Sequence, residues 1–148
     1  QAEDGIRDRS PSRGLGDVYK RQAFGWYGGK YSHLNWLLPL LPMTTHYCEP
    51  FGGSAAVLIN RPPAPVETYN DIDGEVANFF RMLRDQKDPL VEAIGLTPFS
   101  REEFEQAILE PTEPLTDMER ARRFYVRALI CLGRSEPPHL WETMRSIT

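Results

Sequence analysis

Hydrophobic positions along this chain change their spacing repeatedly, and each change marks an element. Leu34, Leu37, Leu38 and Leu41 recur at helical spacing and predict a short helix, with Ser32 as its cap and Pro39 and Pro42 ending or kinking it. Thr44–Glu49 predicts a buried strand, after which Gly52-Gly53 turns the chain into a helix over Ser54–Ile59. The rigid connector Arg61-Pro62-Pro63-Ala64-Pro65 leads to a second predicted strand, Val66–Asn70. Val76, Phe79, Phe80 and Leu83 then share one face of a helix capped by Asp73 or Asp71. Strand, helix, strand, helix is the opening of a parallel α/β sheet.

Beyond Gly95 the pattern is helical. Ser100-Arg101-Glu102-Glu103 is a capping box that opens a helix with Phe104, Ala107 and Ile108 inward. After a linker punctuated by Pro111 and Pro114, Thr116-Asp117-Met118-Glu119 is a second box. Its helix sets Ala121, Phe124, Tyr125, Ala128, Leu129 and Leu132 at helical spacing, and Gly133 can stop it. A third strand is not evident. Residues 1–22 have no apolar period, with charges, Gly, Ser and Pro interspersed, and read as a disordered or non-native, adaptor-like tail.

Composition narrows the function classes only modestly. The 148 residues carry a formal net charge of −4, so no global excess of positive charge announces a nucleic-acid partner, although local patches could still serve one. The apolar runs around Leu34–Leu41 and Ala128–Leu132 fall short of the ~20 residues of a membrane span, and no secretory segment is visible. Cys48 and Cys131 sit in apolar segments and are expected to be buried, reduced thiols. With His33, His46 and His139 scattered, no zinc spacing exists and no metal site is expected.

The candidate chemistry lies in three short strings. Gly28-Gly29-Lys30 fails as a P-loop, because Phe24 stands where the first glycine is needed and Tyr31 where the hydroxyl is needed. Glu49-Pro50-Phe51-Gly52-Gly53-Ser54 places glycines where a strand hands over to a helix and a backbone can approach a ligand, yet it lacks the third glycine of the dinucleotide fingerprint. Asn70-Asp71-Ile72-Asp73 puts a carboxylate at the end of the next strand, about twenty residues on, where α/β nucleotide folds hold a ribose diol. Asp71 suits NAD or S-adenosylmethionine equally, and each piece alone is also compatible with a plain turn or helix cap.

Taken together and in order, Trp26-Tyr27-Gly28-Gly29-Lys30-Tyr31, Glu49 to Leu58 and Asn70 to Asp73 resemble the D12-class, Dam-like DNA adenine-N6 methyltransferases. The resemblance covers about 23–94 and continues more weakly to Arg127. It implies a partial Rossmann-like α/β methyltransferase fold with the start of a helical insertion, and S-adenosyl-L-methionine as cofactor. Trp26, Gly28, Gly29 and Lys30 would sit beside the methionine end, Pro50, Phe51, Gly53 and Ser54 would wrap the cofactor, and Asp71 would hold the ribose hydroxyls. Lys30 or nearby N–H groups suit the methionine carboxylate, the helix after Gly53 adds a positive dipole end, and Glu49 is a further candidate near the methionine amine. Trp26 is equally readable as core.

The resemblance divides the chain into a tail at 1–22, a cofactor-binding part at 23–95, the helical start of a target-recognition insert at 96–133 and an unassigned tail at 134–148. The family's Asp-Pro-Pro-Tyr-type motif, which receives the flipped adenine, is missing. Glu136-Pro137-Pro138-His139 is the nearest string and is rejected, since it follows a helix-like segment and offers His139 for the aromatic residue. The chain is therefore expected to be an N-terminal fragment without catalytic residues of its own. The parent would be a monomeric, cytoplasmic bacterial or phage enzyme acting on double-stranded DNA, with Arg120, Arg123 and Arg127 either touching phosphates or forming a solvated face that balances Asp117 and Glu119. An inactive S-adenosylmethionine-binding remnant and an NAD-dependent oxidoreductase are the rival readings.

Overall fold

The computed structural model describes residues 21–130. The predicted stop at Gly133, Leu132, Cys131, His139 and the Glu136–His139 string lie outside the described residues. A 3-10 turn at Lys30–His33, α1 at Leu34–Leu37 and a second 3-10 turn at Leu38–Leu40 come first. They lead to β1 (His46–Glu49), α2 (Ala56–Asn60) and β2 (Val66–Tyr69). Four helices follow: α3 (Gly74–Asp85), α4 (Lys87–Gly95), α5 (Arg101–Ile108) and α6 (Asp117–Ile130). β1 and β2 pair in parallel, with His46 opposite Val66 and Glu49 opposite Tyr69. A parallel pair needs a crossover, and the segment carrying α2 supplies it.

Two apolar clusters hold these elements. The larger joins Phe24 to Val76, Phe79, Met82 and Leu83 of α3, Leu90 and Ile94 of α4, and Ala121, Phe124, Tyr125 and Leu129 of α6. Phe24 meets Phe79 and Phe124 edge-on, with ring centroids 5.2 and 5.0 Å apart, the geometry that aromatic quadrupoles favour. The smaller cluster packs Leu34 with Ala56 and Val57, flanked by Leu37, Leu38, Leu41 and Tyr47. Helix α6, which lies in the stretch 96–133 expected to begin the recognition insert, shares one core with α3 and α4.

Several expectations need correction. The first strand is mostly exposed rather than buried, because β2 is its only strand partner among the described residues and a parallel strand becomes buried only when both edges and faces are covered. Cys48 is exposed for the same reason. Ser32 does not cap a helix; its Oγ pairs with His33 Nδ1 at 3.2 Å while the turn starting at Lys30 runs through it. Ile108 is 53% exposed, since only Ala107 of α5 faces fully inward. Arg21 belongs to the packed structure: its N–H donates to Asn60 Oδ1 at 2.8 Å, and Asn60 Nδ2 donates to its carbonyl. Helix α4 had no clear sequence prediction; its short amphipathic stretch buries only Leu90 and Ile94.

Candidate functional site

The site is built where β1 and β2 end side by side. Past Glu49 the chain enters the turn Pro50–Ser54, and that turn is tied to the residues just beyond β2. Gly52 N donates to Asn70 O at 2.9 Å, Asn70 N to Glu49 O at 3.0 Å, and Asn70 Nδ2 to Pro50 O at 3.0 Å. Gly53 has φ of 53°, a left-handed conformation that glycine adopts without cost. Its N–H donates to Asp71 Oδ2 at 2.8 Å. The other oxygen, Asp71 Oδ1, accepts from Asp73 N at 3.0 Å.

Two carboxylates competed for the cap of α3, and the structure separates them. Asp73 is the cap, its Oδ1 accepting from Glu75 N at 2.9 Å. Asp71 is free to bind the glycine turn instead. A carboxylate offers about four acceptor positions, so with two backbone donors it retains capacity for further hydroxyl groups.

Glu49, the further candidate for the methionine amine, is already partnered within the fold. It is only 5% exposed, and it joins two elements: Oε1 accepts from Lys30 Nζ at 2.8 Å, and Oε2 from Leu58 N at 3.2 Å. Lys30 also donates to Phe51 O. Its charge is thus balanced from within, and the lysine straps the glycine-rich segment to the end of β1. The N–H at the start of α2 points at Glu49. That helix has five residues and begins only at Ala56, after a left-handed Ala55, so the dipole end expected directly after Gly53 is short and already partnered.

Trp26 lies over the glycine turn. A side-chain carbon at Gly53 would sit 3.7 Å from Trp26 Cδ1, and the indole also meets Phe24 edge-on at 5.6 Å and Phe124 at 6.1 Å. It is 37% exposed, so it is part core and part wall. Gly28, with φ of 70°, and Gly29, whose N–H donates to Trp26 O at 3.0 Å, form the tight turn after it. Trp26 borders two clefts, one of about 430 Å³ lined also by Tyr27, Asp73, Phe124 and Arg127, and one of about 300 Å³ lined also by Gly28, Gly29, Tyr31 and His33. Phe51 and Ile72 project at the two strand ends, 73% and 92% exposed. Pro50 is exposed beside them, whereas Ser54 is turned inward and its carbonyl accepts from Ala23 N.

The arginines of α6 are occupied by the fold. Arg120 binds Glu75 of α3 and Asp117. Arg123 binds Glu119 and Gln106 O, and Arg127 donates to Ala107 O at 2.7 Å. These three line a cleft of about 500 Å³ with Glu75 and the chain from Ala107 to Pro111. Tyr69 is the site residue that sequence reasoning passed over. Its hydroxyl donates to Gly53 O at 2.6 Å, and the available signal was an aromatic residue two positions before the strand-end acid. Among the described residues no group of His, Cys, Asp or Glu is arranged to hold a metal ion, and no helix is long and apolar enough to cross a membrane.

A small parallel sheet with helices around it defines a mixed α/β protein. The model of the D12 class N6 adenine-specific DNA methyltransferase family matches residues 26–132, and the chain belongs to that family. Among curated relatives, it is 28% identical over 109 residues to the type II methyltransferase M1.LlaDCHI of Lactococcus lactis subsp. cremoris, covering 66% of this chain and 37% of the relative. It is 30% identical over 73 residues to the DNA N-6-adenine-methyltransferase of Escherichia phage P1, covering 49% of this chain and 10% of that protein. The chain thus matches only a minor part of the length of either relative.

Proposed function

We propose that this chain provides the S-adenosylmethionine-binding part of a DNA adenine-N6 methyltransferase, built on a Rossmann-like sheet. The observation that carries the reading is the 2.8 Å bond between Asp71 and the Gly53 N–H, which fixes a strand-end acid beside a glycine turn. The residues suit the cofactor: Asp71 retains acceptor positions for a ribose diol, and Phe51 offers an exposed apolar wall. Trp26, Gly28, Gly29 and Lys30 would border the methionine end, with Pro50, Gly53 and Ser54 completing the wrap. Ser54 takes part through its backbone, because its side chain faces inward. Bound S-adenosylmethionine supplies an electrophilic methyl group for adenine N6; the protein's part is positioning and exclusion of water.

Double-stranded DNA is the proposed macromolecular partner. Arg120, Arg123 and Arg127 are proposed to reach phosphates only with donors left over from their bonds to the fold. The sequence contains no Asp-Pro-Pro-Tyr-type motif, so the chain by itself is expected to bind cofactor without methylating DNA. Calorimetry against S-adenosylmethionine and NAD tests the reading, and tighter NAD binding would overturn it. Asp71→Ala should weaken S-adenosylmethionine binding by about 1.5–3 kcal/mol, the range for a hydrogen bond to a charged group. Unchanged affinity in a folded variant would leave Asp71 with a purely structural part. Transfer of labelled methyl to DNA by the chain alone would show that its catalytic residues have been misassigned.

A further inference from the structure

Both polar backbone groups of Gly53 are held from the end of β2: Asp71 takes the N–H at 2.8 Å, and the Tyr69 hydroxyl donates to the carbonyl at 2.6 Å. The Tyr69 ring lies directly against the preceding residue. A side-chain carbon built at Gly52 would stand 2.7 Å from Tyr69 Cζ and closer still to Cδ2 and Cε2, well inside van der Waals contact. The backbone of Gly52 does not itself require glycine, because the positive φ values fall at Gly28, Gly53 and Ala55. Nor can the ring swing aside cheaply. Its hydroxyl is bonded to the turn, and its ring lies against Phe80 of α3, tilted by 59° with centroids 4.8 Å apart.

We propose that Tyr69 is a positioning residue for the cofactor loop, and that position 52 is glycine because the Tyr69 ring occupies the space of a side chain there. The inference rests on the reading of Pro50–Ser54 as the S-adenosylmethionine loop. Strand β2 then does more than present an acid. Its last residue, Tyr69, and the next two, Asn70 and Asp71, fix the glycine turn, each bonded to a different group of Pro50–Gly53. Burial, followed by the nearby charges of Asp71, Glu49 and Asp73, pushes the Tyr69 hydroxyl well above its usual value. That shift favours the protonated hydroxyl that donates to Gly53 O.

The test is calorimetry with S-adenosylmethionine, well below the melting temperature, together with thermal melting. Both are applied to the whole chain and to Tyr69→Phe, Tyr69→Leu, Gly52→Ala and the double variant Gly52→Ala/Tyr69→Leu. Gly52→Ala should weaken binding at least about tenfold beside Tyr69 but less than about threefold beside leucine, with melting temperature following the same pattern. Tyr69→Phe, which keeps the ring and loses the bond to Gly53, should weaken binding about fivefold. An equal penalty for Gly52→Ala in both backgrounds would overturn the steric assignment. Tyr69 variants that melt earlier yet bind with unchanged affinity would overturn the positioning role and make Tyr69 merely structural. If the parent chain takes up no S-adenosylmethionine, the cofactor reading and the positioning role fail together. The Gly52–Tyr69 packing is then judged on melting alone, where additive shifts would overturn it.

Discussion

Single residues here carry more than one duty, and the sequence displays only one of them at a time. Asp71 reads as a ribose acid or a cap; in the structure it clamps Gly53, and Asp73 does the capping. Glu49 reads as a candidate for the methionine amine; in the structure it is buried between Lys30 and the start of α2. Neither pairing could be read from local spacing, because the partners lie 18 and 19 residues away and meet only in the folded chain. Ala55 shows the opposite situation. It is the one described non-glycine residue with positive φ, at 55°, a conformation costing an L-residue about 1–2 kcal/mol. Ala55→Gly should relieve that strain, offset in part by the backbone entropy of glycine, for a net stabilisation of about 0.5–1 kcal/mol by urea unfolding. A destabilised variant would show that packing of the buried methyl group outweighs the strain.

At the scale of elements, the capping boxes of α5 and α6 were legible and their cap bonds are present. Ser100 Oγ accepts from Glu103 N at 3.1 Å and Thr116 Oγ1 from Glu119 N at 3.2 Å. The reciprocal half of each box was not legible. Glu103 binds Arg122 across from α5 to α6, and Glu119 binds the same guanidinium one turn along α6; both take these stronger, charge-assisted donors rather than reaching back to their caps. Hydrogen bonds from Arg122 and then Arg123 hold Glu119 below its ordinary carboxylate range, with burial opposing them. A depressed folded value means the stabilisation is full at neutral pH and is lost as pH falls below about 4.5 through that folded value. Glu119→Gln should therefore flatten the acid limb of stability, measured by denaturant titration at a series of pH values. An unchanged slope would indicate that other carboxylates govern the acid transition.

For the whole molecule, Phe24 is the hinge pin of the packing. It comes from the segment preceding the glycine-rich turn, yet it is 1% exposed among Phe79, Phe80 and Phe124. Trp26 follows it and lies over Gly53, so the aromatic core and the candidate cofactor loop share one anchor. Phe24→Ala should cost about 3–5 kcal/mol, a large part of the stability of a small domain. Its fluorescence-detected unfolding should shift accordingly, and a loss below about 1 kcal/mol would mean the surrounding rings collapse into the gap.

Local order was legible in the sequence alone: apolar spacing marked the strands and most helices, the two glycines and the following acid marked a candidate site, and the three motifs together marked the family. Those are properties of short segments, set by backbone preference and side-chain chemistry over a few residues. Tertiary structure decided which groups were already spoken for. It assigned Lys30 to Glu49, the arginines of α6 to neighbouring helices, and Tyr69 to the space above Gly52. Hydrogen bonds and close packing are exclusive, and only the paired strands and packed helices determine which partner comes within reach.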